Sequence, residues 1–267
     1  MEGTLIVGGG LGLAIGAAMG LTGAGGGIFA VPALVFGLGI GIRQAAPIAL
    51  LTVGTAAALG AVQGLLQGVV RYRAALLLAA AGAAVAPTGM KLAHQLPSSW
   101  LNALFGTVML VVAYRMFATS RRTTDTTDQV ARICRVSERT GRLVWNTRTA
   151  ATLSGIGLAA GLATGLLGVG GGFIIVPSLA YVSNLPMNSI VGTSLMTIAV
   201  LSGTAVATAW DHDLAIGGPT LSFLLMTLVG MFVGRLFSRK VSTVILQRAF
   251  ALACLGVATM MLARGLG

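Results

Sequence analysis

Apolar residues in this chain do not alternate with polar ones; they run in long blocks. The stretches 45–68, 74–92, 101–119, 187–210, 217–237 and 243–263 are each largely apolar on all faces, interrupted mostly by Gly, Ser and Thr and at single positions by Lys91, Arg115, Arg235 and Arg248. Each approaches the roughly 20 residues that an α-helix needs to cross the hydrocarbon core of a bilayer. A membrane β-barrel would instead show short strands with apolar and polar positions in strict alternation. Blocks rich in Ala, Leu and Gly predict helices. The one long polar interval, 119–148, cannot span.

The blocks form a series that occurs twice. GAAMGLTGAGGGIFAVPAL begins at Gly16, and GLATGLLGVGGGFIIVPSL begins at Gly161, 145 positions later. The offset holds far outside the motif. Gly12 meets Gly157, Gly20 meets Gly165, Gly23 meets Gly168, and Gly25, Gly26 and Gly27 meet Gly170, Gly171 and Gly172. Pro32 meets Pro177, Thr52 meets Thr197, Gly89 meets Gly234 and Phe105 meets Phe250. The expected organisation is a first transmembrane repeat over 1–118, a basic linker over 119–148 and a second transmembrane repeat over 149–267. Each repeat reads as a first helix ending near Gly20 or Gly165, the Gly cluster, a short apolar piece ending near Gly39 or Asn184, and three longer helices. The short piece has about 14 residues, or roughly 21 Å of helix, which is marginal for crossing.

Composition supports the bilayer. Of the 267 residues, 56% are hydrophobic and only 9% charged, against about a quarter charged in soluble domains. Glu2 stands where a secretory leader would be basic, so the first apolar stretch is expected to persist as a helix. The net charge of +11 is not a nucleic-acid footprint: Arg121, Arg122, Arg132, Arg135, Arg139, Arg142 and Arg148 lie in or beside the linker, and most other cations flank apolar blocks. That is the pattern of the positive-inside rule. It puts the linker in the cytoplasm, together with Arg71, Arg73, Arg235, Arg239 and Lys240. The loop equivalent to Arg71 and Arg73 in the second half carries Asp211, His212 and Asp213 and falls outside. Equivalent loops on opposite sides mean inverted repeats, most simply with five crossings per half and both termini outside. Fewer full spans result if the Gly-interrupted pairs are re-entrant, giving 8–10 in all. Lys91 and His94 run against this count. The linker middle mixes cations with Val130, Ile133, Val136, Leu143 and Trp145, which suits an interfacial helix or a solvated loop. Cys134 and Cys254 form no motif and are expected to be reduced and structural.

GLLGVGGGFIIVPSL, followed by Gly192-Thr193-Ser194-Leu195, resembles the sulfite exporter TauE/SafE family, and so does GLTGAGGGIFAVPAL in the first half. The resemblance extends over nearly the whole chain. It implies a bacterial inner-membrane, multi-pass transporter of small sulfur oxyanions or organosulfonates, often an exporter. The first half departs from the pattern, with Pro47-Ile48-Ala49 where the second has Gly192-Thr193-Ser194.

The expected substrate site combines three groups of residues. Gly23, Gly25, Gly26 and Gly27, with Gly168, Gly170, Gly171 and Gly172, interrupt helices. Such breaks expose peptide N–H groups and aim the positive end of the next half-helix at an anion; the plain alternative is close helix packing. Gln44, Thr52, Asn188, Ser189, Thr193, Ser194 and Thr197 offer amides and hydroxyls in place of water, or else bond helix to helix at about 0.6 kcal/mol each. Arg43, beside the first Gly–Pro motif, is the leading cation for attracting anions, with snorkelling to headgroups as its plain alternative. Arg115, Arg235 and Lys91 are read as snorkelling to headgroups, and Arg248 lies deeper in its block.

All six acids, Glu2, Asp125, Asp128, Glu138, Asp211 and Asp213, lie outside the apolar blocks. Proton or sodium symport usually needs a carboxylate within a span, so potential-driven export is expected over ion-coupled uptake. An anion channel on the same fold, an uptake permease, a membrane-embedded enzyme and a scaffold for a transport complex are the competing readings. No HExxH, CxxC or Walker A sequence supports an enzyme, and no catalytic residue, cofactor or metal is expected. The expected partners are a small anion and the lipid bilayer, with a homodimer as a candidate assembly and no nucleic acid.

Overall fold

The computed structural model describes residues 2–22, 25–121, 134, 145–209, 217–237 and 243–266. Among them the architecture is all helical. It comprises α1 Glu2–Thr22, a 3-10 turn Gly25–Phe29, α2 Ala30–Gly37, α3 Ile42–Leu66, α4 Tyr72–Gln95, α5 Ser98–Arg121, α6 Thr147–Leu167, α7 Gly172–Val182, α8 Met187–Ala209, α9 Gly218–Phe237 and α10 Thr243–Leu266. Helices α1, α3, α4, α6, α8 and α9 are long and apolar enough to cross a bilayer. The stretches 26–37, 98–114, 172–182 and 251–263 are shorter apolar helices. The protein is therefore a multi-pass helical membrane protein. The loop with Asp211, His212 and Asp213, nearly all of the linker, and Arg239 and Lys240 lie outside the described residues.

The two short helices fold back on the helices that precede them. Helix α2 folds back along α1: a side chain on Gly26 would strike the backbone of Met19, one on Gly37 would strike Leu11, and one on Gly8 would reach Leu38 Cδ2 at 3.6 Å. Helix α7 returns along α6 in the same way. A side chain on Gly171 would lie 2.8 Å from the Ala160 carbonyl oxygen. At the far end of α7, the Cys134 N–H donates to the Val182 carbonyl at 2.9 Å, and the Cys134 thiol is hydrogen-bonded to Thr149 near the start of α6. Helices α1 and α2, and likewise α6 and α7, thus form hairpins, each followed by three further helices.

Small residues set the packing. Helix α1 lies against α9, α4 against α6, α5 against α10, and α3 against α8. Gly12, Gly16 and Gly20 press on the backbone carbonyls of Phe223, Thr227 and Met231, while Gly157, Gly161 and Gly165 press on those of Leu78, Gly82 and Ala86. The second set is the first with each residue moved by 145 positions and the partners exchanged. Residue numbers rise together in both sets, so these helix pairs are parallel. In the central pair, Gly54 lies on Ser202, Gly60 on Leu195, and Gly64 beside Gly192. One number rises as the other falls, so α3 and α8 are antiparallel. Absence of Cβ is what lets the helix axes approach this closely.

Helices α3 and α8 form the enclosed centre: 61% of their apolar stretches is buried, against 33% to 39% in the other four long helices. The outer surface is apolar, with Ile6, Leu66, Leu236 and Leu252 largely exposed. Trp100, Tyr72 and Tyr181 are exposed near helix ends, where amphipathic rings meet the headgroups. This exposure is an aggregation hazard in water and the required covering in lipid.

Candidate functional site

Helix α6 stops because the chain turns left-handed. Gly168 has φ +70 and donates its N–H to the Thr164 carbonyl at 2.9 Å. Gly170 and Gly171 follow at φ +74 and +67, a region that glycine enters without the steric cost of a Cβ. Gly171 then starts α7 with no side-chain cap. The positive end of α7 therefore faces the break, and its leading peptide N–H groups are not satisfied by a capping side chain. The first half solves the same motif differently. A 3-10 turn begins at Gly25 and Gly26, the counterparts of the left-handed Gly170 and Gly171, and the Gly26 N–H donates to Thr22 Oγ1 at 3.3 Å.

The two breaks meet. A side chain on Gly27 would begin 3.0 Å from Val53 Cγ1 and 3.6 Å from the Val169 carbonyl oxygen. One on Gly170 would begin 3.0 Å from Ile198 Cγ2, 3.2 Å from Ser202 Oγ and 3.4 Å from Val53 Cγ1. Val53 of α3 therefore touches both breaks, and α8 closes the second with Ile198 and Ser202. Gly168 rests on Ala46, which brings the second break to the first turns of α3.

Ser202 is the polar group that sequence reasoning missed. It is 1% exposed, and its hydroxyl has no hydrogen-bond partner among the described residues. The neighbouring hydroxyls mostly donate back to their own helix. Thr52 bonds Ile48 O at 2.9 Å, Thr164 bonds Ala160 O at 2.7 Å, and Ser194 bonds Ile190 O at 2.8 Å. Thr197 bonds Thr193 O at 3.0 Å and reaches Ala75 O of α4 at 3.4 Å. A hydroxyl left unpaired in a buried site costs about 1–3 kcal/mol. Ser202 bears that cost while facing Gly170. Its sequence signal was only an asymmetry: the residue 145 positions earlier is Ala57.

The other predicted residues divide clearly. Gly26, Gly27, Gly168, Gly170, Gly171 and Gly172 are buried at or next to the breaks, as are Thr52, Ser189, Thr193, Ser194 and Thr197 along α3 and α8. Gly25 opens the 3-10 turn, and Gly23 lies outside the described residues. Gln44 and Asn188 are exposed at helix starts. Arg43 is exposed too, and its Nη2 donates to the Leu96 carbonyl at 2.7 Å, tying α3 to the end of α4 rather than entering the breaks. Arg235 does the reverse of snorkelling: its Nη1 donates to the Gly60 carbonyl of α3 at 2.9 Å. A half-open cleft of about 300 Å³ between α5, α6 and α7 is lined by Val108, Val112, Phe173, Ile174 and Pro177, an apolar surface with little for an oxyanion.

The family described as "Sulfite exporter TauE/SafE" matches residues 9–261. Two Xylella fastidiosa proteins, from strains 9a5c and Temecula1, each named "Probable membrane transporter protein", are 28% identical over 261 residues, covering 96% of this chain and 94% of theirs. A Haemophilus influenzae protein of the same description is 33% identical over 103 residues, 33% of this chain and 37% of that one. No solved structure matches.

Proposed function

Since the chain belongs to the sulfite exporter TauE/SafE family, a family of membrane transporters and not of enzymes, we propose that it is a secondary carrier of small sulfur-containing anions. The solutes are sulfite, sulfonate or thiosulfate-like species, moved outward across the bacterial cytoplasmic membrane by alternating access. The solute is held where the two glycine breaks meet. The observation that carries this reading is the 3.6 Å from the Gly27 Cβ position to the Val169 carbonyl oxygen, which brings the two interruptions close together beside α3 and α8.

The chemistry there suits an oxyanion. Peptide N–H groups at the start of α7 and the Ser202 hydroxyl replace part of a hydration shell without a fixed countercharge. Release then does not have to break an ion pair. Thr52, Thr193, Ser194 and Thr197 line the approach along α3 and α8.

The duplicated, inverted organisation supplies the motion. The 145-residue recurrence of the Gly16–Thr227 and Gly161–Gly82 contacts, and the antiparallel α3–α8 pair, support two repeats related by a pseudo-two-fold axis in the membrane plane. Carriers of this kind rock one bundle against the other around a fixed midplane site. Close packing of Gly27 on Val53 favours a carrier over an open channel. With no acid in the apolar blocks, the inside-negative potential is the natural drive. It supplies about 2.3 kcal/mol per charge per 100 mV, or a ~2000-fold outward gradient for a dianion.

Purified protein in liposomes with the potential clamped at several values, offered sulfite, thiosulfate, sulfoacetate and sulfate, tests this directly. Saturable counterflow of at least one sulfur anion, with net flux that follows the potential, is the expected result. Absence of flux for all four, or flux without counterflow, would remove the carrier reading.

A further inference from the structure

Resting on the carrier reading, we propose a second anion site: Arg235 and Arg71, whose counterparts 145 positions away are Met90 and Ile216, form an oxyanion-recruiting vestibule at the linker end of the α3–α8 crossing. It captures a small oxyanion before the solute reaches the glycine breaks.

Gly60 and Gly64 lie one turn apart on α3 and leave room beside the helix. The Arg235 guanidinium fills it. Nη1 donates to Gly60 O at 2.9 Å, and Nη2 lies 3.8 Å from where a Gly64 side chain would begin. Val70 fits between Gly64 and Gly192, its Cγ2 2.9 and 3.1 Å from the two Cβ positions. The next residue, Arg71, donates its backbone N–H to Thr193 Oγ1 at 3.0 Å. Its side-chain Nε is buried and has no hydrogen-bond partner among the described residues. Arg235 and Arg71 thus both reach one short stretch of the crossing, where Ser189, Thr193 and Ser194 carry buried hydroxyls. A partly enclosed cationic mouth of this kind concentrates anions and raises their capture rate by tenfold or more.

At the opposite end most of these positions are apolar, although Ser189 is matched by Gln44. Moving 145 places exchanges Arg235 for Met90, Gly60 for Ala205, Thr193 for Ile48 and Ser194 for Ala49. Met90 packs there on Leu50, Ala205 and Val206. The path has the half-buried Arg235 at the end where α3 meets α4, on the linker side, whereas at the other end Met90 takes the equivalent position and Arg43, at the start of α3, is exposed and bonded to the Leu96 carbonyl.

The test uses proteoliposomes of fixed orientation, with sulfite as probe, and reads half-saturation at each face. Arg235→Met, which installs the residue of the equivalent position, should raise the linker-face value about tenfold and leave the opposite-face value within twofold. Arg235→Lys should fall between. The unmutated protein gives an independent reading, because added salt should raise the linker-face value more steeply than the other. A lipid phosphate could occupy the same guanidinium groups, so each measurement is repeated with and without anionic lipid. An asymmetry that appears only with anionic lipid would assign the site to headgroups and overturn the proposal. Equal shifts at both faces, or none, with no difference in salt dependence, would overturn it while leaving the carrier reading intact. A wild type that moves no sulfur oxyanion would remove both.

Discussion

The carbonyl oxygen of Val169, in the second glycine break, lies 3.6 Å from the point where a side chain on Gly27, in the first, would begin. Residues 142 positions apart in sequence are thereby made neighbours at the centre of the bundle. Gly27→Leu should fold less well and abolish flux, because its side chain has no space beside Val53. Gly27→Ala should slow flux about tenfold through its 3.0 Å approach to Val53 Cγ1. Val53→Ala should recover much of that loss, since the clash and the cavity offset each other. Counterflow rates of the two single variants and the double variant measure the coupling, and strict additivity would separate Gly27 from Val53.

The parallel pairs α1–α9 and α4–α6 should be equally sensitive to added methyl groups. Gly16→Ala and Gly161→Ala each drive a Cβ into a backbone carbonyl, of Thr227 and of Gly82. Overpacking of this kind costs about 1–3 kcal/mol, and both variants should unfold at lower temperature in detergent. Gly10→Ala and Gly155→Ala meet nothing within 4 Å and should not be destabilised.

Ser202→Ala separates function from stability. It removes a buried hydroxyl with no partner, so unfolding should stay level or shift upward by about 1 kcal/mol. Half-saturation for the transported anion should rise several-fold. Thr197→Val should lower stability instead, because it breaks bonds to Thr193 O and Ala75 O. Paired melting and flux measurements distinguish the two patterns.

Cys134 reports on linker docking. Burial pushes its thiol above the ordinary value of 9.0, against a smaller lowering by its bond to Thr149. The folded thiol holds its proton more tightly than the unfolded one, so its contribution to stability is complete below the unfolded value and is lost as pH rises through the folded value. Maleimide labelling near pH 8 should be slow in folded protein and fast after denaturation. Thr149→Ala removes the lowering contact and should slow it further. Rapid labelling of folded protein would mean that Cys134 does not dock at the end of α7.

Much of this fold was legible because lipid makes hydropathy a direct record of helix length. The blocks at 187–210 and 217–237 became α8 and α9 with ends displaced by no more than a residue. Gly12, Gly16 and Gly20 recur 145 positions later as Gly157, Gly161 and Gly165, and both sets press on backbone carbonyls of a neighbouring helix. What stayed hidden was direction. Arg235 and Arg43 both sit near helix ends in sequence. Whether each turns inward depends on space left by a different helix, at Gly60 and Gly64 for Arg235, and on an unpaired carbonyl at Leu96 for Arg43. Ser202 looked like any other helical hydroxyl, because its failure to bond the preceding turn is a rotamer choice that sequence does not encode. The identical glycine motifs gave no sign that one copy would turn left-handed and the other 3-10.

Gly170→Ala tests the meeting of the glycine breaks most directly. Its φ of +74 disfavours any side chain by about 1–2 kcal/mol, and a methyl there would stand 3.2 Å from Ser202 Oγ and 3.0 Å from Ile198. Sulfite counterflow in proteoliposomes should fall at least about thirtyfold in this variant, while Gly203→Ala, a position on α8 with nothing within 4 Å, keeps the wild-type rate. Wild-type counterflow through a correctly folded Gly170→Ala protein would contradict the assignment of the solute to this point.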